Sequence, residues 1–197
     1  MKRIGFLSFG HWQRATWSKT SSAAEALRQT IELAEAAEEL GLDGAFVRVH
    51  HFARQLASPF PLLAAIGART SRIEFGTGVI DMRYENPLYM AEEAAATDLI
   101  SGGRLQLGVS RGSPEPALHG AGAFGYDTTG ESDSDVARRK IARFRQAIAG
   151  TGLVEADPAF CGAPGLLPLQ PGRLGSRSAS GGAPRRARAR AGRASRV

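Results

Sequence analysis

A single cysteine, Cys161, stands in the 197-residue chain, so no disulfide can close within it. That scarcity fits a reducing, cytoplasmic setting. With one cysteine and only four histidines there is no ligand cluster for a structural zinc site. No stretch approaches the roughly 18 consecutive apolar residues of a membrane span, so no membrane association is expected. Residues 1–10 hold two basic residues and a short apolar run. They lack the longer apolar region and small-residue cleavage site of a signal peptide. Acidic residues are missing from one region only. Residues 172–197 carry eight arginines and no Asp or Glu, and without them seventeen basic residues face nineteen acidic ones. The net charge of +6 therefore belongs to the tail, the body is mildly acidic, and nucleic acid is not an expected partner of the body.

What remains is the composition of a globular protein, 43% apolar and 22% charged, long enough for one ordinary domain. Short apolar runs alternate with helix-period segments. Residues 3–8 read as a strand and 23–40 as an amphipathic helix, with Gly41 as its stop. Residues 44–50 form the second strand, and 59–68 a helix opened by Ser58-Pro59. Residues 73–80 form the third strand, and Asn86-Pro87 opens a helix over 88–100 that stops at Gly102-Gly103. Residues 104–110 are the fourth strand. A Gly/Pro-rich loop then leads to a charged amphipathic helix over 133–149, capped by Ser132 or Ser134.

Strands spaced about 30 residues apart and alternating with helices imply a parallel α/β sheet. The first strand-to-helix loop has one glycine and no G-x-G-x-x-G, against a doubly wound nucleotide binder. The expected fold is the N-terminal half, about four βα units, of a TIM-type (β/α)8 barrel. Such a half leaves two strand edges unpaired and calls for a homo- or heterodimeric partner.

In β/α barrels chemistry collects at the C-terminal ends of the strands. The second strand ends in Val49-His50-His51-Phe52, and two adjacent strand residues face opposite ways, so at most one histidine enters a site. A structural histidine bonded to a nearby loop is the alternative. The third strand carries Gly76-Thr77-Gly78-Val79; a flat ring resting on the backbone or a tight barrel corner would each explain the glycines. The fourth ends in Val109-Ser110-Arg111-Gly112-Ser113, where Arg111 suits either a phosphate or a rim salt bridge.

With VHHF at 49–52, TSRIEFGTGVI at 70–80, NPLYMAEE at 86–93 and ISGGRLQLGVSRG at 100–112, the chain resembles the bacterial luciferase-like, flavin-dependent monooxygenase family from residue 2 to about 149. The resemblance implies that His50 lies beside the flavin and takes part in catalysis. It implies that Gly78-Val79 is joined by a non-proline cis peptide against which the flavin ring packs, and that Arg111 contacts the cofactor phosphate. It also implies reduced FMN delivered by a partner flavin reductase, and transfer of one oxygen atom of O2 to a small organic substrate. A subset of the family uses a deazaflavin coenzyme for hydride transfer, and a non-catalytic half-barrel subunit is a further reading. Luciferases have an acidic residue before the histidine pair, where this chain has Val49.

The luciferase-like domain is expected over 1–156, with a Pro/Gly-rich linker over 157–171. Residues 172–197 are nearly all Arg, Ala, Gly and Ser, a composition expected to be disordered. Out-of-frame translation of GC-rich DNA would produce it: residues 179–184 can be encoded by one choice of codons that, read one frame over after a preceding C, gives Arg-Ile-Trp-Trp-Gly-Ala, the kind of fifth strand the family places there. On this reading the chain is a truncated or frameshifted copy, and a natural basic tail is the alternative.

Overall fold

The computed structural model describes residues 2–112, 117–150 and 152–154. The expected linker and tail, with Cys161, lie outside the described residues. The elements in chain order are β1 (Gly5–Ser8), α1 (Ala23–Glu39), β2 (Gly44–Val47), α2 (Pro59–Arg69), β3 (Glu74–Asp81), α3 (Pro87–Ser101), β4 (Leu105–Ser110), α4 (Gly120–Ala123) and α5 (Asp133–Ile148). The four strands pair in parallel in the order β1-β2-β3-β4. Their helices touch in the same order, α1 to α2 to α3 to α5, so all lie on one face of the sheet. A doubly wound sheet would reverse its strand order and cover both faces. Sequential order with one helical layer is the α/β-barrel arrangement.

The local chemistry explains the boundaries. Ser22 caps α1 by accepting the Glu25 N–H at 3.2 Å, and the Glu25 carboxylate answers by accepting from Ser21 N at 2.7 Å. Asn86 Oδ1 caps α3 through Leu88 N and Tyr89 N, and Ser132, not Ser134, caps α5 through Asp135 N. Ser58 differs from expectation, since its side chain makes no cap bond and α2 starts on Pro59 alone. Gly41 and Gly102 end α1 and α3 at positive φ, +81° and +70°.

Strand period 2 sorts the side chains. Ala45, Val47 and Val49 are buried against the helices, with Leu63, Ile66, Phe75, Ile80, Met82 and Met90 in the same core. Each large side chain buried this fully contributes roughly 1.5–3 kcal/mol. The opposite, concave face carries Phe46, Arg48 and His50, all half-buried, and Leu7, which stays 46% exposed. Among the described residues β1 and β4 each have one strand neighbour.

Two connections at the N-terminal ends of the strands hold the layers together. The Arg104 guanidinium donates to the carbonyls of Gly67, Thr70, Ile73 and Ser101 and to Thr70 Oγ1, all within 2.9 Å. Glu38, at the end of α1, accepts from the backbone N–H groups of Ser71, Arg72 and Ile73.

β2 is shorter than the expected 44–50. Past Val47 the Arg48 N–H still donates to Ser8 O of β1 at 2.8 Å, but the His50 N–H donates to Leu56 O at 3.0 Å instead of extending the ladder. α4 lies in the expected Gly/Pro-rich loop, and its Gly-Ala-Gly-Ala sequence has no apolar period to announce it. No helix among the described residues is long and apolar enough to cross a membrane.

Candidate active site at the C-terminal ends of the strands

Beyond the end of β2, Arg48 and His50 point the same way, two residues apart. Arg48 Nε donates to His50 Nε2 at 3.1 Å, and Arg48 Nη1 reaches the Gly78 carbonyl at 3.4 Å. His51 leaves on the other side. Its ring meets Tyr84 and Phe124 edge-on at centroid distances of 5.3 and 5.0 Å, and its Nε2 lies 3.5 Å from Glu85 Oε1. His51 thus helps to seat α4 and its flanking loop in a cluster of Phe52, Tyr84 and Phe124.

β3 is interrupted where Gly78 and Val79 together oppose the single residue Gly108: Thr77 pairs with Leu107, and Ile80 with Val109. The Gly78–Val79 peptide is cis. The bulge changes the strand's parity, so Phe75 and Thr77 before it and Ile80 and Met82 after it are all buried. Of the two expectations for the glycines, the tight corner is the one this geometry bears on. A Cβ on Gly76 would stand 1.6 Å from the Gln106 carbonyl oxygen, and one on Gly108 would stand 2.4 Å from that of Thr77. These two are therefore required by backbone approach at a tight corner. A Cβ on Gly78 would meet side-chain atoms, Leu7 Cδ1 at 3.0 Å and Phe46 Cβ at 3.9 Å. Gly78 and Gly108, both half-buried, carry no side chain on the concave face, beside Leu7, Phe46 and the Arg48–His50 pair, while Gly76 is buried between the strands.

Arg111 lies apart from these glycines. It is exposed and borders a cavity of about 670 Å³ with Arg83, Gly112, His119 and the first turn of α5. Arg83 is held by Asp81 at 2.6 Å and Asp133 at 2.5 Å. Its hydrogen bond to Asp81 raises the guanidinium pKa further and outweighs the opposing effect of burial. Behind it, Lys140 Nζ donates to Arg83 O at 2.7 Å and sits 3.2 Å from the Tyr126 ring centroid. Burial, with Arg139 close by, pushes the Lys140 pKa down to about 8. The structure thus brings His50, Gly78 and Val79 together and places Arg111 with a separate cluster of charges.

Sequence reasoning missed Arg48, Asp81 and Arg83. Arg48 was within reach, because a residue two before His50 on an extended segment shares its face. The Arg83–Asp133 pair joins residues 50 apart and leaves no local signal. Among the described residues no group of three or more His, Cys, Asp or Glu side chains is placed to hold a metal ion.

Comparison with known proteins gives a consistent answer. The sequence model of the family described as "Luciferase-like monooxygenase" matches residues 1–149. The 4-hydroxyprotoasukamycin monooxygenase of Streptomyces nodosus subsp. asukaensis is 34% identical over 130 residues, covering 65% of this chain and 34% of that one. The oxygenase component of flavin-dependent trigonelline monooxygenase from Acinetobacter baylyi is 32% identical over 110 residues, 55% of this chain and 30% of its own. An F420-dependent glucose-6-phosphate dehydrogenase of Nocardia farcinica is 33% identical over 136 residues, 66% and 38% of the respective chains. Among solved structures, monooxygenase RslO1 from Streptomyces bottropensis superposes with a TM-score of 0.68 at 23% identity, covering 89% of this chain and 51% of that one. The FMN complex of the oxygenating constituent of 3,6-diketocamphane monooxygenase from Pseudomonas putida gives 0.63 at 19%, over 84% and 44%. At these identities the two structures establish the fold. The chain spans about a third of the length of these curated relatives.

Proposed function

The chain belongs to the luciferase-like monooxygenase family, and from that premise we propose that it carries the flavin-facing half of a flavin-dependent monooxygenase site. The observation that supports this reading is the pair of half-buried glycines, Gly78 and Gly108, the proposed floor of the site, beside the Arg48–His50 pair. In the proposed reaction two electrons from reduced FMN and one O2 are consumed. One oxygen atom enters a small organic substrate and the other leaves as water. The bound flavin supplies the redox chemistry.

The chain's own residues do the rest. Gly78 and Val79 present backbone to the ring, and Leu7 and Phe46 border it with apolar surface that excludes water. His50, which receives a hydrogen bond at Nε2 from Arg48, is the proposed catalytic histidine beside the ring. Arg111 is the proposed phosphate contact, at the rim of the cavity it shares with Arg83 and α5. The proposed partners are a flavin reductase, as the relative named an oxygenase component suggests, and a second chain over the open edges of β1 and β4.

A second reading, hydride transfer with a deazaflavin coenzyme, is favoured by the F420-dependent relative, which matches 66% of the chain. Anaerobic titration with reduced FMN, oxidised FMN and F420 separates the two. Tightest binding of reduced FMN is expected. Preference for F420 selects the second reading, and no binding of any of the three overturns both.

A further inference from the structure

Arg48 has no role in the reading above beyond its contact with His50, yet its geometry is specific. A guanidinium has donors only. The nitrogen of His50 that receives Arg48 Nε–H, at 3.1 Å, therefore carries no proton, and a neutral His50 carries it at Nδ1. The same guanidinium reaches the Gly78 carbonyl at 3.4 Å, on the floor itself. One rigid fork thus joins the histidine to the strand that bears the floor. It also places a fixed positive charge at the floor's edge, since arginine does not lose its proton in proteins. Among the described residues no carboxylate pairs with Arg48. His51 and Glu85, 3.5 Å apart, belong to the cluster on the other side of the strand.

We propose that Arg48 is the positioning residue of this site, holding His50 in its Nδ1-protonated form and biasing the floor toward a flat ring that carries negative charge. The second half rests on the flavin reading. A two-electron-reduced flavin is anionic near neutral pH and the oxidised ring is neutral, so a cation at the floor's edge favours the reduced form. The arginine would then select the redox state that binds while fixing the tautomer of His50.

Two readouts on the full chain test this, and neither is turnover. Nitrogen-15 spectra of the apo protein report the His50 tautomer, and anaerobic titrations give the dissociation constants of oxidised and reduced FMN. For the parent protein we expect Nε2 unprotonated and reduced FMN bound more tightly. Arg48→Met is expected to let both tautomers appear and to weaken reduced FMN about tenfold relative to oxidised FMN. Arg48→Lys keeps the charge without the fork, so most of the redox preference stays while the tautomer becomes mixed. A parent protein with Nε2 protonated overturns the proposal without recourse to any variant. So does an Arg48→Lys or Arg48→Met protein with unchanged tautomer and unchanged affinity ratio. If the parent binds neither form of FMN, the flavin reading fails and takes the redox half with it, while the tautomer result still decides the His50 half.

Discussion

Gly76 of β3 lies so close to Gln106 of β4 that a Cβ on Gly76 would stand 1.6 Å from the Gln106 carbonyl oxygen. Backbone cannot swing aside as a side-chain tip can, so the two strands pair only while residue 76 is glycine. Gly76→Ala is expected to lose at least about 3 kcal/mol or to abolish cooperative unfolding. Gly78→Ala meets the movable tip of Leu7 at 3.0 Å and should cost only about 1 kcal/mol. It should instead weaken flavin binding by raising the floor. Thermal melts of the two variants check the contrast; equal destabilisation would refute it.

Arg104 closes the opposite end of the strands. Five acceptors from α2, α3 and their connections converge on one guanidinium. Lysine offers three donors from a single point and cannot reach all five. Arg104→Lys is expected to cost about 2–4 kcal/mol, because buried carbonyls left without a partner cost roughly 1–3 kcal/mol each. Urea unfolding measures it, and a loss below about 0.5 kcal/mol would show that the bonds add little.

Much of this architecture was legible in advance. Asn86 announces α3 by cap chemistry, and Ser132, one of the two candidate caps, starts α5, while the cap of α1, Ser22, is seen only in the structure. The end of β2 was not legible, because the partner of the His50 N–H is Leu56 in the following loop, a choice made by tertiary geometry. Glycine spacing could not say which glycine serves which purpose; only the neighbours of a Cβ separate Gly76 and Gly108 from Gly78. The pairing of Arg83 with Asp133 depends on where α5 docks, which no local pattern encodes.

Glu38 should give the protein a specific acid sensitivity. Burial opposes its ionised form, but hydrogen bonds from Ile73, Arg72 and Ser71 outweigh that and bring its pKa from 4.5 down to about 2. The folded state therefore favours the carboxylate. Its contribution is fully present above pH 4.5 and is lost as pH falls toward 2. Glu38→Gln is expected to be less stable than the parent at pH 6 by about 1–2 kcal/mol, the gap closing as pH approaches 2. Denaturant midpoints across that range decide it; parallel curves for the two proteins would contradict the assignment.

Lys140 works in the opposite direction and at the other end of the pH scale. Burial, helped by Arg139, lowers its pKa from 10.5 to about 8, so the folded protein releases this proton before the unfolded chain does. Between those values the unfolded state binds more protons, and stability must rise with pH by linkage. Below pH 8 the ammonium is charged in both states, and the fold bears its desolvation, offset by Arg83 O and the Tyr126 ring. Lys140→Met removes the titrating group and keeps most of the volume. The stability difference, parent minus variant, is expected to grow in the parent's favour from pH 8 to pH 10, by up to about 1.4 kcal/mol per pH unit at the steepest point. Other groups titrating in that range are common to both proteins and cancel. A difference that is flat or falling across pH 8–10 would place the Lys140 ammonium in contact with water and dissolve the link between α5 and the backbone of Arg83.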